Sequence, residues 1–127
     1  MKEVIYTDGA PKAIGPYSQA IKANGFLFVS GQLPSDPKSG KFPAGGIEEQ
    51  TRQSLENLKA ILEKANASFE NVVKTTVLMQ DLENFTAMNA VYAEYFTKNY
   101  PARVCVQVAK LPQNALVEIE AIAVCCG

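Results

Sequence analysis

Residues 101–123 read PARVCVQVAKLPQNALVEIEAIA, and the reading of this stretch decides the fold. Two apolar runs flank a break at Leu111–Pro112–Gln113–Asn114, which predicts two strands joined by a turn. Alternation of period two puts Val104, Val106 and Val108 on one face of the first strand, opposite Arg103, Cys105, Gln107 and Ala109. In the second strand Val117, Ile119, Ala121 and Ala123 share a face. Glu118 and Glu120 lie on the other, among Leu116, Ile122 and Val124. With the two strands taken as neighbours, a guanidinium and a carboxylate are expected to meet. One reading is an ordinary cross-strand ion pair between Arg103 and a glutamate. The other gives Arg103 a substrate carboxylate, which its planar fork suits better than lysine would, and leaves Glu118 to handle protons or water.

Outward from that stretch, the chain has 127 residues, 47 % of them hydrophobic and 20 % charged, with net charge −1. This fits one globular domain and argues against a nucleic-acid surface, which needs clustered Lys and Arg. No apolar run is long enough to span a membrane, and the first residues lack the apolar core of a secretion signal. Cys105, Cys125 and Cys126 are odd in number and lack CxxC spacing, so free thiols in a reducing, cytoplasmic setting are expected. The adjacent Cys125–Cys126 reads as a strand end rather than a redox pair. The absence of histidine removes Ser-His-Asp and Cys-His catalysis and histidine-ligated metals. Neither a cofactor nor a metal is expected. Phosphate-binding glycine loops and a GxSxG elbow are also missing.

Further toward the N-terminus, Asn24–Gly25 between two strand-like runs predicts a tight hairpin leading to Ser30–Gly31. A short strand is expected at Val4–Tyr6, and a Pro/Gly/Ser/Lys-rich loop over Pro34–Gly46. A helix from Ile47 to Asn66 is predicted from Leu55, Leu58, Ile61, Leu62 and Ala65, with Glu48 and Glu49 at its positive end. Phe69–Gln80 reads as a central strand. Asn84–Lys98 reads as a second helix burying Phe85, Met88, Tyr92, Tyr95 and Phe96. Asn89 and Glu94 are polar members of that helix to which the pattern assigns no role. The sum is a single α+β domain over residues 1–127, a mixed sheet of about six strands with two helices on one face. Apolar residues on both faces of the last two strands favour association.

Several stretches also resemble, in order, the signature of the RidA (YjgF) family: APKAIGPYSQAI, VSGQLP, QTRQSLENLKAILE, PARVCVQVAKLP and VEIEAIA. The resemblance covers nearly the whole chain. It implies a RidA-like, chorismate-mutase-like fold and a homotrimer with clefts between subunits. It implies hydrolytic deamination of 2-imino or enamine acids such as 2-iminopropanoate and 2-iminobutanoate to 2-keto acids. In that resemblance Arg103 binds the substrate carboxylate, assisted by main-chain groups of Gly31 and Cys105. Glu118 holds or activates water, while Tyr17 and Ser30 line the cleft. Read without it, Tyr17 is a packing residue, Ser30–Gly31 a turn, and Cys105 a small buried hydrophobe whose thiol Arg103 would acidify. Valine at 104, where the family often has serine, should point away from Arg103. Two other activities stay open: a module that senses small carboxylates, and a ribonuclease or translation inhibitor.

Overall fold

The computed structural model describes residues 1–125. Its strands are β1 (Glu3–Ile5), β2 (Ala20–Ala23), β3 (Phe26–Gln32), β4 (Val72–Met79), β5 (Ala102–Gln107) and β6 (Val117–Val124). The helices are α1 (Ile47–Lys64) and α2 (Phe85–Tyr95). Six strands form one sheet in the order β1-β2-β3-β6-β4-β5. Every ladder is antiparallel except β4 with β5. The fold is thus α+β, a single mixed sheet with its helices on one face. No helix among the described residues is long and apolar enough to cross a membrane.

The Asn24–Gly25 hairpin forms as expected, with φ of 56° and 81° at the two turn residues. At the start of α1, Glu49 folds back and accepts a hydrogen bond from the Gly46 amide at 2.9 Å. Gly45 just before it has φ of 110°, where a side chain would also collide with the Glu49 carboxylate. α1 buries Leu55, Leu58, Ile61 and Leu62 completely, and α2 adds Met88, Val91 and Tyr92. Val117, Ile119, Ala121 and Ala123 of β6 and Val77 and Met79 of β4 meet them from the sheet.

The helices end earlier than periodicity suggested, at Lys64 and Tyr95 rather than Asn66 and Lys98. Asn66 has a left-handed φ of 61°, which no helix interior accommodates. Ahead of β4, Phe69–Asn71 is a 3-10 turn capped by Ser68, so the strand opens at Val72.

The largest departure concerns residues 101–123. Their two strands are not neighbours, because β4 lies between β5 and β6. The crossover through α2 returns β5 parallel to β4, at the sheet edge, and β6 then inserts antiparallel between β3 and β4. The connection Val108–Leu116 holds a 3-10 turn with Gln113 and Asn114 both at positive φ, and is too long for a tight hairpin. Face assignments change with it. Val104 pairs with Thr76 and Val106 with Leu78, while Glu120 and Glu118 pair with those same two residues from the other side. Val104, Val106, Ile122 and Val124 therefore share the helix-free face instead of dividing between two. Phe26 and Phe28 extend it, and Phe28 is 45 % and Val104 44 % exposed.

Buried Asn57 on α1 secures the loop after β3. Its amide donates to the Leu33 carbonyl (3.1 Å) and the Ser35 carbonyl (2.8 Å). Asn57→Ala leaves both acceptors unpaired, and the expected loss is about 2–4 kcal/mol of unfolding free energy in urea titration.

Candidate active site

Arg103 stands at the open edge of the sheet, opposite Thr75 of β4 and on the helix-bearing face. Its Nη1 donates to Asn89 Oδ1 at 2.7 Å. The guanidinium carbon lies 4.8 Å from the Tyr92 ring centre and 5.5 Å from that of Phe85. Tyr92 is itself fixed by a 2.8 Å hydrogen bond with Thr75 Oγ1. Aromatic faces attract the cation and an amide oxygen orients it, but none of these groups cancels its charge. Among the described residues the ion pair formed is Arg52–Glu94, on the outer surface of the helices. The expectation of an Arg103–glutamate pair fails because the intervening β4 keeps the two strands apart.

Cys105, two residues along, also turns toward the core, with its Sγ 3.6 Å from Met79 Sδ. Burial raises its thiol pKa, and the lowering pull of Arg103 does not overcome this. The thiol stays protonated at neutral pH, and the acidification by Arg103 considered above does not prevail. As anticipated, Val104 points away from Arg103.

The other predicted residues gather on the opposite face. Between Val29 and Gln32 the register of β3 against β6 slips, so that Ser30 and Gly31 together face Glu120. This is a β-bulge, a device that re-aims side chains. Ser30 is drawn into it, its amide donating to the Gln19 carbonyl and its Oγ to the Ser18 carbonyl at 2.6 Å. Gly31 leaves a space that Glu118 fills. A Cβ there would stand 2.8 Å from Glu118 Cδ and 3.1 Å from its Cγ. Glycine is required at this position by close approach, not by backbone angle. Burial, and secondarily the Glu120 carboxylate, raises the Glu118 pKa above the ordinary carboxylate value.

Tyr17 borders the same region and is 52 % exposed, its hydroxyl accepting weakly from the Ile14 amide at 3.4 Å. The loop bearing it is tied down by buried Gln19. That side chain accepts from Thr7 N (2.8 Å) and donates to the carbonyls of Thr7 (3.0 Å) and Pro11 (2.9 Å). Tyr17 and Ser30 line a depression of about 450 Å³ with Phe28, Lys74 and Glu120.

The predicted set therefore divides. Arg103 and Cys105 belong to the helix side of the edge strand, whereas Tyr17, Ser30, Gly31 and Glu118 belong to the helix-free side near β3. Two strand spacings of about 4.8 Å and the thickness of the sheet lie between Arg103 and Glu118 within one copy. Sequence reasoning missed Asn89, Phe85 and Tyr92 as Arg103 partners. Asn89 is four residues from Phe85 and three from Tyr92 on one helix, which was a usable signal. Gln19 gave none. No group of three or more Cys, Asp or Glu residues converges to hold a metal among the described residues.

This arrangement has relatives. The chain belongs to the RidA (YjgF) family, whose model, described as Endoribonuclease L-PSP, matches residues 7–125. A RutC family protein of Pyrococcus horikoshii is 60 % identical over 97 % of this chain and 98 % of its own. The human 2-iminobutanoate/2-iminopropanoate deaminase is 47 % identical over 98 % of this chain and 90 % of its own. The crystal structure of Escherichia coli TdcF with bound serine superposes with a TM-score of 0.93 at 45 % identity, covering 98 % and 99 % of the two chains.

The raised Glu118 pKa has a stability consequence. A carboxyl that holds its proton more tightly when folded destabilises the fold as pH rises through its pKa. Glu118→Gln is expected to raise the thermal midpoint at pH 7, with the gain fading below the ordinary carboxylate range, where both states of the wild type are protonated. Calorimetry across pH checks it.

Proposed function

We propose that this protein hydrolyses 2-imino acids, 2-iminopropanoate and 2-iminobutanoate among them, to 2-keto acids and ammonia. The observation that carries the reading is Arg103, a cation oriented by neutral groups and given no carboxylate by its own chain. Such a fork suits the carboxylate of a small acid. The name of the human relative and the serine bound in TdcF support a site for small amino-acid-like molecules.

The second half of the site then comes from another copy. One subunit cannot offer Arg103 and Glu118 to the same small substrate, since they occupy opposite faces. A ring of three copies, each laying its helix-free face against a neighbour, buries Phe28, Val104, Val106 and Ile122. It also sets Arg103 and the Cys105 backbone of one subunit against Glu118, Gly31, Ser30 and Tyr17 of the next. Contacts of this head-to-tail kind close into rings.

In the cleft, Arg103 holds the substrate carboxylate and fixes the imine carbon near Glu118. Ionised Glu118 takes a proton from water as the oxygen adds to the C=N carbon, whose π electrons pass to nitrogen, giving a carbinolamine. Protonated Glu118 then gives that proton to the amine nitrogen. The C–N bond breaks, ammonia departs, and the hydroxyl loses its proton to leave the keto group. Desolvation that raises the Glu118 pKa brings it nearer to neutral pH, which suits proton transfer in both directions. Enamines enter after protonation on carbon. The water, the imine and these side chains suffice for the reaction.

The bound serine of TdcF also favours a second reading, in which the cleft senses small carboxylates. Binding of 2-keto acids in calorimetry with no change in imine lifetime would select it. Ribonuclease action, which the family description names, is disfavoured by Glu118 and Glu120 on the cleft face, because they repel phosphates.

Two measurements test the proposal. Arg103→Ala is expected to abolish the acceleration of imine hydrolysis, followed by semicarbazide trapping of imine from a threonine dehydratase. Wild-type rates in that variant end the assignment. Mixing unfolded Arg103→Ala and Glu118→Gln chains and refolding them together should restore activity, to about a quarter of wild type for random assembly. If each site lay within one subunit, the mixture would stay inactive.

A further inference from the structure

Arg103 also forms part of the wall of a separate cavity of about 440 Å³ on the helix side, enclosed by Tyr92, Phe96, Tyr100, Pro101 and Ala93. Its composition is specific. Arg103 is the one charged group in the lining and Asn89 the one amide; the remainder is aromatic or small and apolar. The Tyr92 hydroxyl is engaged by Thr75 at 2.8 Å, so the pocket meets its ring rather than its oxygen. Phe96 stacks on that ring with centroids 4.4 Å apart and is held edge-on by Phe69 at 5.0 Å. These walls are therefore fixed. Tyr100, 72 % exposed, closes the mouth.

A mostly apolar cavity of this size with one oriented charge is the usual form of a small-molecule pocket. The substrates considered above do not need it, since 2-iminopropanoate carries only a methyl group. We infer that this cavity receives the side chain of the substrate, and that the protein accepts 2-imino acids with branched or aromatic apolar side chains. The inference rests on Arg103 as the carboxylate anchor. With the carboxylate on the guanidinium, an apolar substituent enters between Tyr92, Phe96 and Tyr100, and leaves the imine carbon at the open edge where water adds.

The test uses the intact protein and imines generated by an L-amino-acid oxidase, with catalase present, from alanine, leucine and phenylalanine. The wild type should shorten the trapped lifetime of all three. Ala93→Phe, at an exposed position on α2, fills the pocket. It should lower kcat/KM for the leucine and phenylalanine imines relative to the alanine imine by roughly tenfold or more. Tyr100→Ala removes the outer ring without adding bulk and should lower the same ratio. Circular dichroism checks that both variants fold. An unchanged ratio in the two variants, or a wild type inert toward the bulky imines, overturns the inference. Loss of the anchor is a different failure: Arg103→Ala would then retain activity toward the alanine imine as well.

Discussion

The structure turns on a charge that its own chain leaves unneutralised. Arg103 is held by an amide oxygen and two ring faces, and each partner is fixed in turn: Tyr92 by Thr75, and Asn89 and Phe85 by their places on α2. A carboxylate in the position of Asn89 would hold the fork as firmly. It would also compete directly with any anionic ligand, because a charge-assisted pair is about twice as strong as a neutral hydrogen bond. An asparagine orients the guanidinium and leaves its charge for a guest.

Strand order enforces this isolation. β4 separates the arginine strand from the two glutamates of β6, and its pairing with both fixes the faces: Thr75 beside Arg103 points to the helices, Leu78 beside Glu118 points away. The same order concentrates Val104, Val106, Ile122 and Val124 with Phe26 and Phe28 on one side. An exposed face of this kind on a six-stranded sheet has the character of a contact surface. Topology thus links two properties that look independent, a divided site and a face that favours association.

Much of this was legible in the residues, and the limits were physical. Asn24–Gly25, the stripes of α1 and α2 and the inward row of β6 are local patterns, and they appear as read. The pairing of β5 with β6 was misjudged because sequence proximity stood in for partnership, while the crossover through α2 requires β5 to return beside β4. From that one error came the wrong faces for the valines and the supposed meeting of Arg103 with a glutamate. Asn89 and Gln19 stayed silent because their roles depend on what lies across space. Gly31 was recognised only through family resemblance, and its reason, the carboxylate lying where a Cβ would be, is visible only in three dimensions.

Glu118 and Arg103 carry opposite halves of one constraint. Each would be more comfortable paired, the carboxyl because burial already opposes its charge, the guanidinium because nothing nearby cancels its own. Had both lain on one face at hydrogen-bonding distance, they would have closed on each other and left no site. Placing them on opposite faces prevents that collapse within a chain. In the proposed ring a neighbour brings them near, with the bulge at Ser30–Gly31 setting the carboxylate back against β3. The gap that remains is shaped for something that brings its own negative charge to the arginine and presents an electrophilic carbon to the acid.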